Sequence, residues 1–442
     1  MQHFERRVAL ACTAEEAFRW HARPGAFERL TPPWEPVTLT APAAIEEGVR
    51  AHLKLHLGPA YLTWTARHCD IVPGRMFVDE QERGPFRHWR HEHRFHDDKE
   101  AGGCQLTDAI DYELPLSPLS DLVAGRAVRA KLVRMFRYRH EVTVRDLEQH
   151  QRLSTSARRI GVTGASGLVG SALLPYLTTG GHEVRRLSRR PTRADLEGLD
   201  AVVHLAGEPL MGLRWTAEKK RRILESRREG TLHLAETLAA MTGGPRVLVS
   251  MSGINHYGDR GDETLTEESQ RGSGFLSDVT AAWEESTRPA EAAGLRVVRL
   301  RTGVVLSGAG GALPLLALPF RLGVGGTLGR SEAWFSAIAI DDLLDVILRA
   351  IVDDELAGPV NAVGPAPVTQ GELARMLGKI LRRPSLLPVP PLALRAALGS
   401  EMAGEMLLSS MRVMPERLQR RGHVFRYDTV EAALRHALGS TA

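Results

Sequence analysis

The sequence predicts an α/β protein in two parts: a doubly wound parallel sheet with a helical C-terminal part, preceded by an α+β domain of antiparallel strands closed by one long helix. First, Arg158-Arg159-Ile160-Gly161-Val162-Thr163-Gly164-Ala165-Ser166-Gly167-Leu168-Val169-Gly170 runs an apolar strand into a glycine turn. An apolar helical pattern through Leu173, Leu174 and Leu177 follows it. Second, strands and helices alternate after this turn, the order that gives parallel strands covered on both faces. Third, strand-type stretches followed by one helical stretch precede the turn, separated from it by a polar segment. The expected domains are residues 1–150 and 158–442, with the C-terminal helical part from about 365.

A chain of 442 residues exceeds what one core supports. Its hydrophobic content of 43% and charged content of 25% are those of a soluble globular protein. A net charge of +4 is too small at this length to argue for nucleic acid as a partner. Cys12, Cys69 and Cys104 are odd in number and lack metal-type spacing, which points to a reducing compartment. No apolar run has membrane-spanning length, and the first residues lack a signal-peptide core. A cytoplasmic protein is expected, with its oligomeric state left open.

In the first 150 residues, Val8, Leu10 and Cys12 alternate with polar residues, and Thr13 with Glu16 forms a capping-box signature ahead of Phe18 and Trp20. Val49, Ala51, Leu53, Leu55 and Leu57 alternate with Arg50, His52, Lys54 and His56, the period-2 pattern of a sheet with one buried face. Further strands are expected from Tyr61 to Ala66, Met76 to Glu80, Arg87 to Phe95 and Gln105 to Leu114. From Leu119 to about Leu147 the pattern is helical, with Leu122, Val128, Leu132, Met135 and Phe136 on one face. This order resembles the helix-grip fold of the START and polyketide-cyclase-like superfamily, and Trp89 to Phe95 with Leu106 to Pro115 look like its late strands. The resemblance implies a cavity between sheet and helix for an apolar small molecule. His91 and His93 share a strand face, but no third ligand at suitable spacing stands out, so no metal is assigned. Residues 148–158 read as the linker.

At the glycine turn, Gly164 permits the tight bend, Gly167 lets the backbone approach a pyrophosphate, and Gly170 lets the helix pack closely on the sheet. A second strand, Glu183 to Leu187, ends in Ser188-Arg189-Arg190. An NAD site usually places an acidic residue there, whereas guanidinium groups suit the 2′-phosphate of NADP. NADP is therefore the expected cofactor and NAD the lesser one. A third strand, Asp200 to His204, ends in the small residues Leu205-Ala206-Gly207, and a later apolar strand ends in Ser250-Met251-Ser252.

The turn, His204 to Pro209, Tyr257 to Glu263, Leu300 to Leu306 and Ile340 to Leu343 resemble the extended short-chain dehydrogenase/reductase superfamily. Within it they resemble its epimerase-like family, in which a cyclase-like N-terminal domain is a known arrangement. The resemblance runs from about Arg159 to the C-terminus. The cofactor-binding set is then Thr163, Gly164, Ser166, Gly167, Leu168, Val169, Gly170, Ser188, Arg189, Arg190, Leu205, Ala206, Gly207 and Arg301.

Enzymes of this superfamily hold the substrate oxygen with Ser or Thr and exchange protons through a Tyr whose pKa a Lys four residues on lowers. Ser252 matches the first position. Leu276 and Thr280 stand where the Tyr and Lys belong, and no Tyr-x-x-x-Lys occurs in the chain. Tyr257 is the candidate substitute, with His256 and Asn255 beside it. Ala337 and Ala339 stand where the family carries an aromatic residue and a histidine near the substrate side. Leu313 to Leu322, with Pro314 and Pro319, reads as a loop or flap. The function implied is an NADP-dependent oxidoreductase or epimerase-type enzyme on a small-molecule substrate. Its rival is a non-catalytic NADP-binding sensor or carrier coupled to the hydrophobic-ligand-binding N-terminal domain.

Overall fold

Strand periodicity and helix capping place the elements of the N-terminal unit much where the sequence expects them. The structure is a computed structural model that describes residues 1–41, 44–98, 100, 102–115, 119–153, 156–211 and 214–440. Its contacts divide the chain into one unit of Met1–Ser154 with Pro175–His182 and a second of Thr155–Leu174 with Glu183–Ser440.

The first unit runs β1 (Gln2–Leu10), α1 (Ala14–Ala22), α2 (Ala26–Leu30), β2 (Val37–Leu39), β3 (Arg50–Leu57), β4 (Ala60–Val72), β5 (Met76–Arg83), β6 (His88–Asp98), β7 (Gly103–Glu113) and α3 (Leu119–Arg152). Thr13 caps α1 by accepting from the Glu16 N–H. The seven strands form one antiparallel sheet in the order β1-β7-β6-β5-β4-β3-β2. Alternate residues of β6, Trp89, His91, His93 and Phe95, are buried, as period 2 requires. Phe4, Trp89, Ile110 and Tyr112 of the sheet pack with Leu132 and Phe136 of α3. The side chain of Leu122, expected on that face, lies outside the described residues. The helix continues to Arg152 because Asp146 is buried and held by Arg29, whose Nε and Nη2 donate to it at 2.8 and 2.7 Å. The expected linker is thereby shortened to residues 153–158, of which 154 and 155 lie outside the described residues.

The second unit runs β8 (Arg159–Thr163), α4 (Leu168–Thr179), β9 (Glu183–Leu187), α5 (Arg193–Leu196), β10 (Ala201–His204), α6 (Ala217–Ala239), β11 (Val247–Gly253), β12 (Thr264–Leu265), α7 (Phe275–Glu285), α8 (Arg288–Ala292) and β13 (Arg296–Thr302). It continues with β14 (Val304–Leu306), α9 (Ala312–Arg321), β15 (Trp334–Phe335), β16 (Ala337–Ala339), α10 (Ile340–Val352) and β17 (Gly358–Ala362). Six strands form a parallel sheet in the order β17-β13-β11-β10-β8-β9. This is the doubly wound Rossmann-like arrangement. The chain leaves β8 for β9 on one side and returns to β10 on the other, so the switch point lies at the carboxyl ends of β8 and β10. C-terminal helices follow at Gln370–Leu381, Pro391–Leu398 and Val430–Leu438.

The expected loop at Leu313 to Leu322 is instead helix α9. Pro314 occupies the first turn, where an N–H has no intrahelical partner, and Leu313, Ala317 and Phe320 bury one face. Ala337 and Ala339, expected near the substrate, lie in the core with Leu306, Tyr427 and Leu434. No helix among the described residues is long and apolar enough to cross a membrane.

Helix α10 buries three carboxylates, Asp341, Asp342 and Asp345. Arg426 donates through Nε and Nη2 to Asp345 at 2.6 Å, and its backbone N–H to Asp342. Burial, with Asp345 beside it, raises the Asp342 pKa from 3.8 to about 8. The folded chain then holds a proton that the unfolded chain releases near its ordinary value. That stabilisation is complete below the unfolded value and is lost as pH rises through about 8. At about 1.4 kcal/mol per unit, roughly 1 kcal/mol is expected to disappear between about pH 7 and 8. Asp342→Asn should flatten this slope in denaturant unfolding; an unchanged slope would remove Asp342 as its source.

Candidate functional site at the sheet switch point

Strand β8 ends at Thr163, and the chain turns at Gly164 with φ +68°. A Cβ there would lie 2.8 Å from the Ala206 nitrogen and from the Leu205 carbonyl carbon, so the loops after β8 and β10 touch backbone to backbone. Thr163 is fully buried. Its Oγ1 accepts from the Leu205 N–H at 3.2 Å and lies 2.8 Å from His204 Nδ1, while His204 Nε2 reaches Thr231 at 3.0 Å. Burial lowers the His204 pKa to about 4, so a neutral ring links the two threonines. Thr163 thereby ties the loops after β8 and β10 together.

The Gly167 N–H donates to the Gly164 carbonyl at 3.0 Å. A Cβ on Gly170 would lie 2.3 Å from that carbonyl oxygen and 2.7 Å from Ala165 Cα, both backbone atoms. Ser166 and Gly167 are exposed and Leu168 and Val169 half-buried, at the start of α4. The first turn of α4 contains no acidic residue, so the positive end of the helix is uncompensated. Ser188, Arg189 and Arg190 are all exposed just past β9, with Arg190 Nη2 3.4 Å from Glu229. Leu205 and Ala206 are half-buried and Gly207 is exposed. The structure thus brings the glycine turn and the loop after β10 together at one end of the sheet, beside the strand whose end carries the arginines.

A second cluster forms around the carboxyl end of β11. Ser252 donates from Oγ to Glu284 Oε1 at 2.8 Å. Arg301 on β13 grips the same carboxylate with two hydrogen bonds, Nε to Oε1 at 2.8 Å and Nη2 to Oε2 at 2.9 Å. Its Nη1 donates to the Tyr257 hydroxyl at 3.1 Å, and that hydroxyl donates to Asn361 Oδ1 at 2.7 Å. Burial alone would raise the Glu284 pKa, but Arg301 overcomes it and holds the carboxyl below its usual range. Burial raises the Tyr257 pKa, and burial with Arg301 lowers that of His256 to about 4.

These contacts bear on two of the expected site residues. The Arg301 guanidinium is committed to Glu284 and Tyr257, and β11 and β10 stand between its strand and β8. Tyr257 is fully buried, its hydroxyl is engaged by Asn361 and Arg301, and burial moves its pKa further from neutrality. Leu276 and Thr280 are buried on α7, as their apolar helical spacing requires. Glu405 receives the Phe275 and Leu276 N–H groups at 2.7 and 2.6 Å and so caps that helix from the C-terminal part.

Glu284 itself escaped the sequence reading. Its spacing held a signal, because Leu276, Thr280 and Glu284 recur every four residues and place a carboxylate on the buried face of an apolar helix.

Three family models match the chain: the NAD dependent epimerase/dehydratase family over residues 160–363, the polyketide cyclase / dehydrase and lipid transport family over 10–137, and a domain of unknown function over 389–437. Epimerase family protein Mb2239 of Mycobacterium bovis is 37% identical over 294 residues, spanning 63% of this chain and 97% of the relative. Epimerase family protein SDR39U1 of Bos taurus is 35% identical over 295 residues, spanning 63% and 99%. The crystal structure of the nucleoside-diphosphate sugar epimerase from Corynebacterium glutamicum aligns with TM-score 0.80 at 37% identity, covering 99% of this chain and 90% of that one. The structure of human epimerase family protein SDR39U1 (isoform 2) with NADPH aligns with TM-score 0.59 at 32% identity, covering 63% and 99%.

Proposed function

The chain belongs to the epimerase family, and from that membership we propose that it is an NADP-dependent oxidoreductase or epimerase-type enzyme acting on a small molecule. The observation that carries the cofactor is the end of β9, where Ser188-Arg189-Arg190 stand exposed without a carboxylate in the strand-end turn. The glycine cradle, closed to any Cβ at Gly164 and Gly170, fits a pyrophosphate against the start of α4. Ser166 to Val169 would line the diphosphate, Arg189 with Arg190 the 2′-phosphate, and Leu205 to Gly207 the adjoining edge. The human relative solved with NADPH supports the same reading.

NADP, when bound, supplies or takes up the hydride. Ser252 already donates its proton to ionised Glu284, so its oxygen lone pairs are left to accept from a substrate hydroxyl. Glu284, kept ionised by Arg301, fixes the serine so that Ser252 Oγ would hold and polarise the substrate oxygen. Ser252→Ala is expected to keep NADPH affinity while lowering turnover about 10²- to 10⁴-fold.

Titration of the purified chain with NADPH and NADH tests the cofactor directly. At least about tenfold preference for NADPH is expected, equal to about 1.4 kcal/mol, and Arg189→Asp should erase it. Saturation by neither nucleotide would refute the assignment. Buried Leu276 and Thr280 at the Tyr and Lys positions favour a second reading, a cofactor-binding protein without turnover. Bound NADPH that loses no hydride to any of a broad panel of carbonyl substrates would decide for it. For the N-terminal unit, the cyclase-like match supports a hydrophobic ligand.

A further inference from the structure

The inner face of the N-terminal sheet carries polar groups that the nucleotide chemistry does not use. Pairing sets His68 opposite Asp79, Asp79 opposite His91, and His93 opposite Asp108, and α3 lowers His140 onto the same place. His91, His93, His140 and Asp108 are each 4% exposed or less. Polar groups buried this deeply destabilise a fold unless every one finds a partner.

They find partners only in part. His68 Nδ1 lies 2.6 Å from Asp79 Oδ1 and His93 Nε2 3.3 Å from Asp79 Oδ2. His91 Nε2 and His140 Nε2 lie 2.8 and 2.6 Å from the two oxygens of Asp108. His93 Nδ1 lies 2.8 Å from Asp108 Oδ1 as an ion pair, and His140 Nδ1 is buried without a hydrogen-bond partner. Two carboxylates and several nitrogen donors thus converge on one spot under an apolar roof of Phe77 and Phe136.

We propose that Asp79, His91 and His93 bind a divalent transition-metal ion of the zinc class. One donor atom from each lies within 4.8 Å of the other two. Two imidazoles and a carboxylate form a three-ligand zinc set that leaves a coordination position open for water or a substrate oxygen. The 3.3 Å between His93 Nε2 and Asp79 Oδ2 is close to the roughly 3.4 Å between two ligands on a tetrahedral ion with bonds of about 2.1 Å. His68 orients the Asp79 carboxylate from behind, and Asp108, itself held by His140, stands against the two ligand imidazoles in the manner of outer-sphere partners that fix a metal ligand. The Asp79 side chain is 25% exposed, which gives the ion a way in along β5. In the sequence the third ligand was hidden because Asp79 lies 12 residues before His91 and meets it only through strand pairing.

The test uses the full chain, free of any histidine tag, stripped with chelator and titrated with Co²⁺ as spectroscopic probe and Zn²⁺ as competitor. About one ion per chain is expected, with visible d–d bands that Zn²⁺ displaces. His91→Ala and Asp79→Asn should each weaken binding at least about tenfold, while circular dichroism and NADPH affinity stay unchanged. Absence of the bands, or bands of equal strength in both variants, would overturn the proposal and leave a cluster that shares protons alone. Asp79→Asn is isosteric and keeps an oxygen toward His68, so it decides the matter if His91→Ala does not fold. Because NADPH affinity is read separately, failure here leaves the cofactor assignment standing.

Discussion

Gly170→Ala is expected to weaken NADPH binding roughly tenfold to a hundredfold and to destabilise the nucleotide unit by about 1–3 kcal/mol. The added methyl would meet the Gly164 carbonyl oxygen at 2.3 Å and Ala165 Cα at 2.7 Å. Both belong to the turn proposed to cradle the cofactor, so α4 must move outward and carry its first N–H groups with it. The backbone cannot turn aside as a flexible side chain would. Gly230→Ala is the matched control, since a Cβ there meets nothing within 4 Å and the residue lies inside α6. It should stabilise the protein by about 0.5–1 kcal/mol through helix propensity and leave affinity alone. Fluorescence titration and thermal unfolding of both variants read the two effects. Equal affinity in Gly170→Ala and the parent chain would mean that the cradle does not hold the nucleotide.

Residues whose role is set by local geometry were legible in the sequence. The strand at Arg87 to Phe95 was legible from its period, and Thr13 marked its helix start, because period and capping act within a few residues. The glycines of the turn were legible for the same reason. What escaped depends on partners far along the chain. Arg301 looked like a cofactor ligand, yet its partner Glu284 is 17 residues away on another element. The Tyr257 hydroxyl is held by Asn361, 104 residues on. Ala337 and Ala339 could be placed near the substrate only by resemblance, and parallel pairing with β14 turns them into the core. Pro314 and Pro319 suggested a loop or flap because prolines break helices on average, whereas Pro314 falls in the first turn of α9 and the helix continues through Pro319.

Glu284→Gln is expected to destabilise the second unit by about 3–5 kcal/mol, the usual effect of leaving one member of a buried ion pair behind. Glu284 and Arg301 expose only 12% and 7% of their side chains, so solvent does little to screen the loss. Arg301 would keep its hydrogen bond to Tyr257 but lose its counter-charge. Replacing both members, Glu284→Leu with Arg301→Met, removes the stranded charge and should restore most of the stability. The same pair fixes a pH dependence of opposite sign to that of Asp342. A carboxyl held below its usual value gives stability that is present above the unfolded pKa near 4.5 and lost as pH falls through the folded one. In Glu284→Leu with Arg301→Met that acid-side loss should vanish. NADPH affinity decides the remaining question about Arg301. If the double variant folds and still binds NADPH like the parent, Arg301 serves Ser252 and Glu284 at the end of β11. If it folds and no longer binds, the guanidinium belongs to the cofactor after all.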